Sequence, residues 1–292
     1  MSNDSYHVMP TPHVYQVDPP KMKFSFPGFL RGTVGSLVAP GGSSKTTWAM
    51  AAAHQLAGGP DLLGLGDTGE PGQVMYLAAE DPPDPLHEKM WNIGRFLDSR
   101  ARDVMGENLT VVSCEGADVD IMRDGPFFES LCEVLKGWKL LILDTLTCFH
   151  YLEENSASDM ARVVKRLKRI AAGTGCSVLF LHHTNKTAAL SGRVDEQQAS
   201  RGSSVLTDNI RWQAFLEVMS KENAEKYSIG EARRKFFVRW GLSKQNYGTP
   251  VSDRWYEKAD GGILKPVKLR KAGSAGSFCQ KNGGEKHNEA TY

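Results

Sequence analysis

The sequence predicts an α/β fold: a mostly parallel sheet with helices on both faces and an antiparallel extension toward the C-terminus. Three observations predict it. Short, nearly continuous apolar runs alternate with helical patterns between Gly28 and His183, which is how strands buried on both faces read. A Gly-rich turn joins the first of these runs to an Ala-rich helix, a unit that can bind phosphate. Beyond residue 184 the pattern changes to a long polar loop and then to aromatic, β-branched runs.

Taken in order, residues 1–27 are rich in Pro and polar side chains and read as an N-terminal arm. Strands are expected at 33–39, 73–79, 109–113, 140–144 and 177–183. Helices are expected along "KTTWAMAAAHQLA", after "DPPDP", near 126–137, and along "ASDMARVVKRLKRIAAG", which ends on a glycine as helices often do. The segment "TNKTAALSGRVDEQQASRGSS" is a polar loop of a length usually reserved for function. "NIRWQAFLEVM", "RKFFVRWGLSK", "DRWYEKA" and "GGILKPV" then read as antiparallel strands or hairpins extending the same sheet. Residues 269–292 are Gly/Ser/Lys-rich and predict a disordered tail, leaving one domain over 28–268.

Composition sets the outer bounds. The 292 residues are 40% hydrophobic and 24% charged, ordinary values for a soluble globular protein. A formal net charge of +1 excludes a global basic field for nucleic acid and leaves only a local patch. Five cysteines, an odd number without C-x-x-C spacing, point to reduced thiols rather than a disulfide framework or zinc site. The N-terminus lacks the basic start and apolar core of a signal peptide, and no apolar run approaches the roughly 20 residues of a membrane span. The expectation is a cytoplasmic protein.

The stretch "LVAPGGSSKTTWAM", Leu37 to Met50, departs from the phosphate-loop pattern G-x-x-x-x-G-K-[ST] at Ala39 and Ser44. Gly41 and Gly42 permit close backbone approach, and with Ser43, Ser44, Lys45, Thr46 and Thr47 they form a candidate cradle for ATP. Lys45 would reach the β- and γ-phosphates, and the Thr46 hydroxyl would serve Mg²⁺. Asp144 ends an apolar strand, as an acid that holds the hydration shell of Mg²⁺ does; alone, it reads equally as a turn-forming Asp. Glu80 and Asp81 end another strand, where Glu80 is placed to orient an attacking water or simply to open a turn. A third strand ends in His182 and His183, and ligands of open α/β sheets gather at that edge. Neighbours on a strand face opposite sides, so the two histidines do not form a metal pair. A loop, two acid-ended strands and a polar-ended strand in this order fit the RecA-like P-loop class better than small P-loop kinases.

Longer segments are more specific. "GGPDLL", "YLAAEDPP", "LDTL", "EENSAS", "GCSVLFLHH", "QQASRGSSVLTDNIRWQ", "FFVRWGLSKQNYG" and "DRWYEKADGGILKP" together resemble the RepA-type hexameric replicative helicases of IncQ-type broad-host-range plasmids, from about Phe29 to Val267. The resemblance implies an ATP-driven, RecA-like homohexameric ring that unwinds plasmid DNA, moves 5′ to 3′ on single-stranded DNA, and works with a separate primase and origin-binding protein. It implies Lys45 and Thr46 as the phosphate-loop pair, Glu80 as the catalytic glutamate, Asp144 as the metal-side acid and His183 as the γ-phosphate sensor. It also implies Arg211 as a finger lent to the neighbouring subunit's site. Without the resemblance, Arg211 reads as a sheet-edge arginine paired with Asp208 or a carboxylate nearby. The family loop reads "SPGGAGKS", so Ala39 is no departure from it and Ser44 is.

Lys186, Arg193 and Arg201 in the long loop are the candidate DNA contacts, because loops after this strand face the channel of RecA-like rings. Repeated around a ring, a few cations make a basic funnel, and the absence of aromatics favours backbone tracking over base stacking. A solvated loop is the plain alternative, and the cations of "ARVVKRLKRI" read as a solvated helix face. Two other functions fit the same residues. One is a RecA-type recombinase or loader that does not unwind; the other is a nucleotide-binding DNA clamp whose hydrolysis Ser44 impairs.

Overall fold

Nine strands form the main sheet of the computed structural model, which describes residues 11–184 and 204–271. A short helix, α1 (Thr11–Val14), precedes an antiparallel pair, β1 (Phe24–Phe26) and β2 (Phe29–Leu30). The core then runs β3 (Val34–Ala39), α2 (Lys45–Ala57), β4 (Val74–Ala78), α3 (Pro83–Gly94), α4 (Ser99–Asn108) and β5 (Leu109–Ser113). It continues with α5 (Pro126–Val134), β6 (Leu140–Asp144), α6 (Ala157–Thr174) and β7 (Ser177–His183). After the undescribed segment come α7 (Ser204–Asn209), β8 (Trp212–Val218), α8 (Lys221–Lys226), α9 (Glu231–Arg234), β9 (Phe237–Gln245), β10 (Arg254–Lys258) and β11 (Leu264–Val267).

The strand order is β11-β10-β9-β8-β3-β7-β6-β4-β5. From β5 to β8 every neighbouring pair is parallel, and β9, β10 and β11 add antiparallel. Sequence reading placed the start of the antiparallel extension one strand too early. β8 lies parallel to β3 because the chain returns to the opposite edge of the sheet before entering it, pairing Trp212 with Gly35. The helix α4 was also not anticipated. It buries only Met105 and so shows little apolar periodicity, and it starts because the Asp98 carboxylate accepts from Ala101 N at 2.7 Å. At the end of the expected arm, Phe26 is buried against Phe29, Trp48 and Trp212.

Alternation along each strand sorts the core into two layers. Val74, Tyr76, Ala78, Leu140, Ile142, Leu179 and Leu181 face α2 and its neighbours. Met75, Leu77, Leu141, Leu143, Val178 and Phe180 face α5 and α6. The alanines of α2 let it lie close to the sheet, with Ala49, Ala51, Ala52, Ala53 and Ala57 all buried. In α6, Met160, Val163, Val164, Leu167, Ile170 and Ala171 make the apolar stripe, and the helix ends at Gly175 with φ 73°. Arg166 leaves the solvated face expected for this helix. It is buried, with its guanidinium 3.4 Å from the Phe128 ring centre and hydrogen-bonded to Ile121 O and Asp124. Among the described residues, no helix is long and apolar enough to cross a membrane, and Cys114, Cys132, Cys148 and Cys176 are free thiols.

Candidate nucleotide site

The site assembles where β3, β4, β6 and β7 end side by side. Val38 pairs with His182 and Ala39 with His183, while Ala78 pairs with Asp144, so the ends of these four strands stand level. By strand parity, Glu80, Asp144 and His183 share the α2 face of the sheet with Tyr76.

The loop from Pro40 to Ser44 turns the chain from β3 into α2. Gly42 sits at φ 78° and Ser44 at φ 69°, both in the left-handed region. A Cβ placed on Gly41 or Gly42 meets nothing within 4 Å, so the backbone there faces open space, as a phosphate cradle requires. Ser43 closes the loop from inside, its Oγ donating to the Pro40 carbonyl.

Lys45 begins α2 and points back under the loop. Its Nζ donates to Ala39 O at 3.0 Å and lies 3.0 Å from His183 Nδ1. Burial lowers its pKa to about 8, with Asp144 and Glu80 partly opposing the shift. If His183 Nδ1 accepts from Lys45, its proton is on Nε2, which faces the Glu80 carboxylate at 3.4 Å from Oε1 and 3.5 Å from Oε2. The Thr145 hydroxyl donates to Glu80 Oε1 at 2.7 Å. Lys45, His183, Glu80 and Thr145 therefore form one hydrogen-bonded chain.

Asp144 stands beside this chain, buried, with Oδ2 accepting from Tyr76 OH at 2.6 Å. Burial raises its pKa, while the Tyr76 and Thr46 hydroxyls act against that rise. Its Oδ1 is buried without a hydrogen-bond partner. A buried carboxylate oxygen with a free lone pair, next to the Thr46 hydroxyl, fits a hydrated Mg²⁺ carried by a nucleotide. Among the described residues, no group of three or more His, Cys, Asp or Glu could hold a metal ion by itself, so the nucleotide and water would supply the remaining ligands. Asp81, next to Glu80, is engaged by Lys89 at 2.7 Å.

The C-terminal extension also reaches the loop. Lys258 on β10 donates from Nζ to Gly42 O at 3.0 Å, and burial lowers its pKa. Arg211 does not join the cluster. It precedes β8 at the level of Gly35, the far end of β3 from the phosphate loop. It is exposed and makes no ion pair with Asp208 or any other described carboxylate, so the expected Asp208 pairing is not formed. Lys186, Arg193 and Arg201 lie outside the described residues.

A family model for the AAA domain matches residues 6–189, more than half of the chain. The chain belongs to the AAA domain family. Among solved structures, the RadB recombinase matches with a TM-score of 0.52 and 14% identity, over 83% of this chain and 93% of that one. The ATPase domain of G40P matches with a TM-score of 0.54 and 15% identity, over 82% and 86% of the two chains. At such identities the likeness speaks for the fold, an α/β RecA-like P-loop core, in this AAA domain chain.

Three residues of the site were not singled out in the sequence. Tyr76 reads as an ordinary strand aromatic, although its even spacing from Glu80 puts it on the site's face. Thr145 directly follows a strand-ending acid, and nothing in the local pattern marks it. Lys258 reaches the loop only through the pairing of β10 with β9, a long-range contact.

Proposed function

We propose that this AAA domain chain is an ATP-hydrolysing motor on DNA, a homohexameric replicative helicase of the plasmid type that tracks along single-stranded DNA. The observation that carries the ATPase part is the convergence of Lys45, His183, Glu80 and Asp144 beside an open Gly-rich loop. Backbone N–H groups of Gly41 to Thr46 and the N-terminus of α2 hold the phosphates. Lys45 gives up His183 and Ala39 to place its charge on the β- and γ-phosphates. Glu80 accepts a hydrogen bond from a water and takes its proton as the water oxygen bonds to the γ-phosphorus and the bond to the β,γ-bridging oxygen breaks. Asp144 and Thr46 would hold a Mg²⁺ ion carried by the nucleotide, which would supply charge neutralisation. His183, released from Lys45, carries the presence of the γ-phosphate into the segment that follows β7.

The helicase part rests on the sequence resemblance. It includes the loop cations Lys186, Arg193 and Arg201 as DNA contacts, Arg211 as a finger in the neighbouring site, 5′ to 3′ movement, cytoplasmic location, and primase and origin-binding partners.

Two assays test this reading. Glu80→Gln lowers phosphate release by about 10²-fold or more while ATP is still bound, and Lys45→Ala loses both. A Glu80→Gln variant that hydrolyses ATP at the parent rate refutes the site. On forked DNA, the parent protein displaces a strand with ATP. Hydrolysis without displacement leaves the recombinase-or-loader reading, and ATP binding without phosphate release leaves the clamp reading.

A further inference from the structure

Thr145 is the one member of the hydrogen-bonded chain with no part in the proposed chemistry. It is 1% exposed, and its backbone is tied down on both sides. Ala79 N donates to Asp144 O at 2.7 Å, and Cys148 N donates to Thr145 O at 3.1 Å. A β-branched side chain on such a backbone has little rotamer freedom. Glu80 is the opposite case. It lies beyond the end of β4, its side chain is 44% exposed, and its long side chain has three rotatable bonds. The 2.7 Å bond from Thr145 Oγ1 to Glu80 Oε1 therefore joins a fixed donor to a mobile acceptor.

We propose that Thr145 is the positioning residue of Glu80. It holds Oε1 so that Oε2 is free to receive the attacking water once His183 turns to the γ-phosphate. The inference rests on the proposed role of Glu80 and adds to it a reason why a half-exposed glutamate keeps one orientation. A merely structural role for Thr145 would be to fill the space behind Asp144, and that role does not need the hydroxyl.

The test uses the full chain and ATP, with thermal unfolding as a folding control. Thr145→Val keeps the shape and loses the donor. It is expected to lower kcat for ATP hydrolysis about tenfold or more with KM for ATP nearly unchanged, because the lost bond is to a charged group acting in the transition state. Thr145→Ser, which restores the donor, is expected to keep most of the rate. If the valine variant is unstable, Thr145→Ala is read in its place, with the same expectation. A Val or Ala variant at the parent kcat, a loss expressed only in KM, or a Ser variant as slow as Val overturns the proposal. Turnover by Glu80→Gln at the parent rate removes the ground under both readings. An inactive Glu80→Gln beside a fully active Thr145→Val removes this one alone.

Discussion

Ser44 holds a backbone conformation that its side chain disfavours, φ 69° and ψ 32°, and no side-chain cap compensates at the start of α2. The glycine of the phosphate-loop pattern has no Cβ to clash there, so Ser44 costs conformational energy in the folded state. Part of that is offset because serine has less freedom than glycine to lose on folding. The net expectation is that Ser44→Gly stabilises the ligand-free protein by about 0.5–1 kcal/mol and raises Tm by about 2 °C, read by thermal unfolding. An unchanged or lower Tm would show that the strain is relieved elsewhere in the loop. Lys45, next in the chain, carries a different load. Burial brings its pKa to about 8, and Asp144 and Glu80 do not restore it. Between about pH 8 and the ordinary lysine value, the unfolded chain binds more protons here than the folded one, so this residue's contribution to stability rises with pH across that window. Bound polyphosphate reverses the balance by surrounding the ammonium with negative charge. ATP binding is therefore expected to take up about half a proton per site near pH 8, and less at lower pH. Calorimetry in buffers of different ionisation enthalpy reads that uptake, and proton release on binding would contradict it.

At the scale of elements, strand parity carried most of what the sequence could say. The five parallel strands from β3 to β7 were legible because runs such as "LLILD" and "SVLFLHH" are apolar on both faces, which no amphipathic helix is. Once those runs are strands, even spacing fixes Glu80, Asp144 and His183 on the face that receives α2, and the site follows from sequence. What stayed hidden depends on pairing between distant segments. β8 carries the same composition whether it runs parallel or antiparallel to β3, and only the path of the preceding chain decides. Lys258 meets Gly42 because β10 lies beside β9, a register that no local pattern states. α4 was missed for the reverse reason, being held by a cap and exposed charges rather than by an apolar stripe. Arg166 was misread because its salt bridge and ring contact come from α5 and the segment before it, while its own helix makes it look solvated.

At the scale of the whole molecule, Arg211 and the phosphate loop stand at opposite ends of β3. Gly35 pairs with Trp212 at one end, and Ala39 leads into the loop at the other, roughly 13 Å of strand apart. A cation at that edge cannot stabilise charge on phosphates bound in its own chain. A finger role for Arg211, as the sequence resemblance implies, would need a site presented by another copy, the arrangement that a head-to-tail ring produces. Under that arrangement each active site draws Lys45 and Glu80 from one subunit and Arg211 from the next. Lys45→Ala and Arg211→Ala are then each expected to lower hydrolysis by about 10³-fold or more, for different reasons. Mixing the two inactive variants should restore activity. In a random equimolar ring, about one site in four combines an intact Lys45 with an intact neighbouring Arg211, so phosphate release should recover to about a quarter of the parent rate. A mixture no more active than its separate components, under conditions where light scattering shows mixed assemblies, would mean that Arg211 does not act in its neighbour's site.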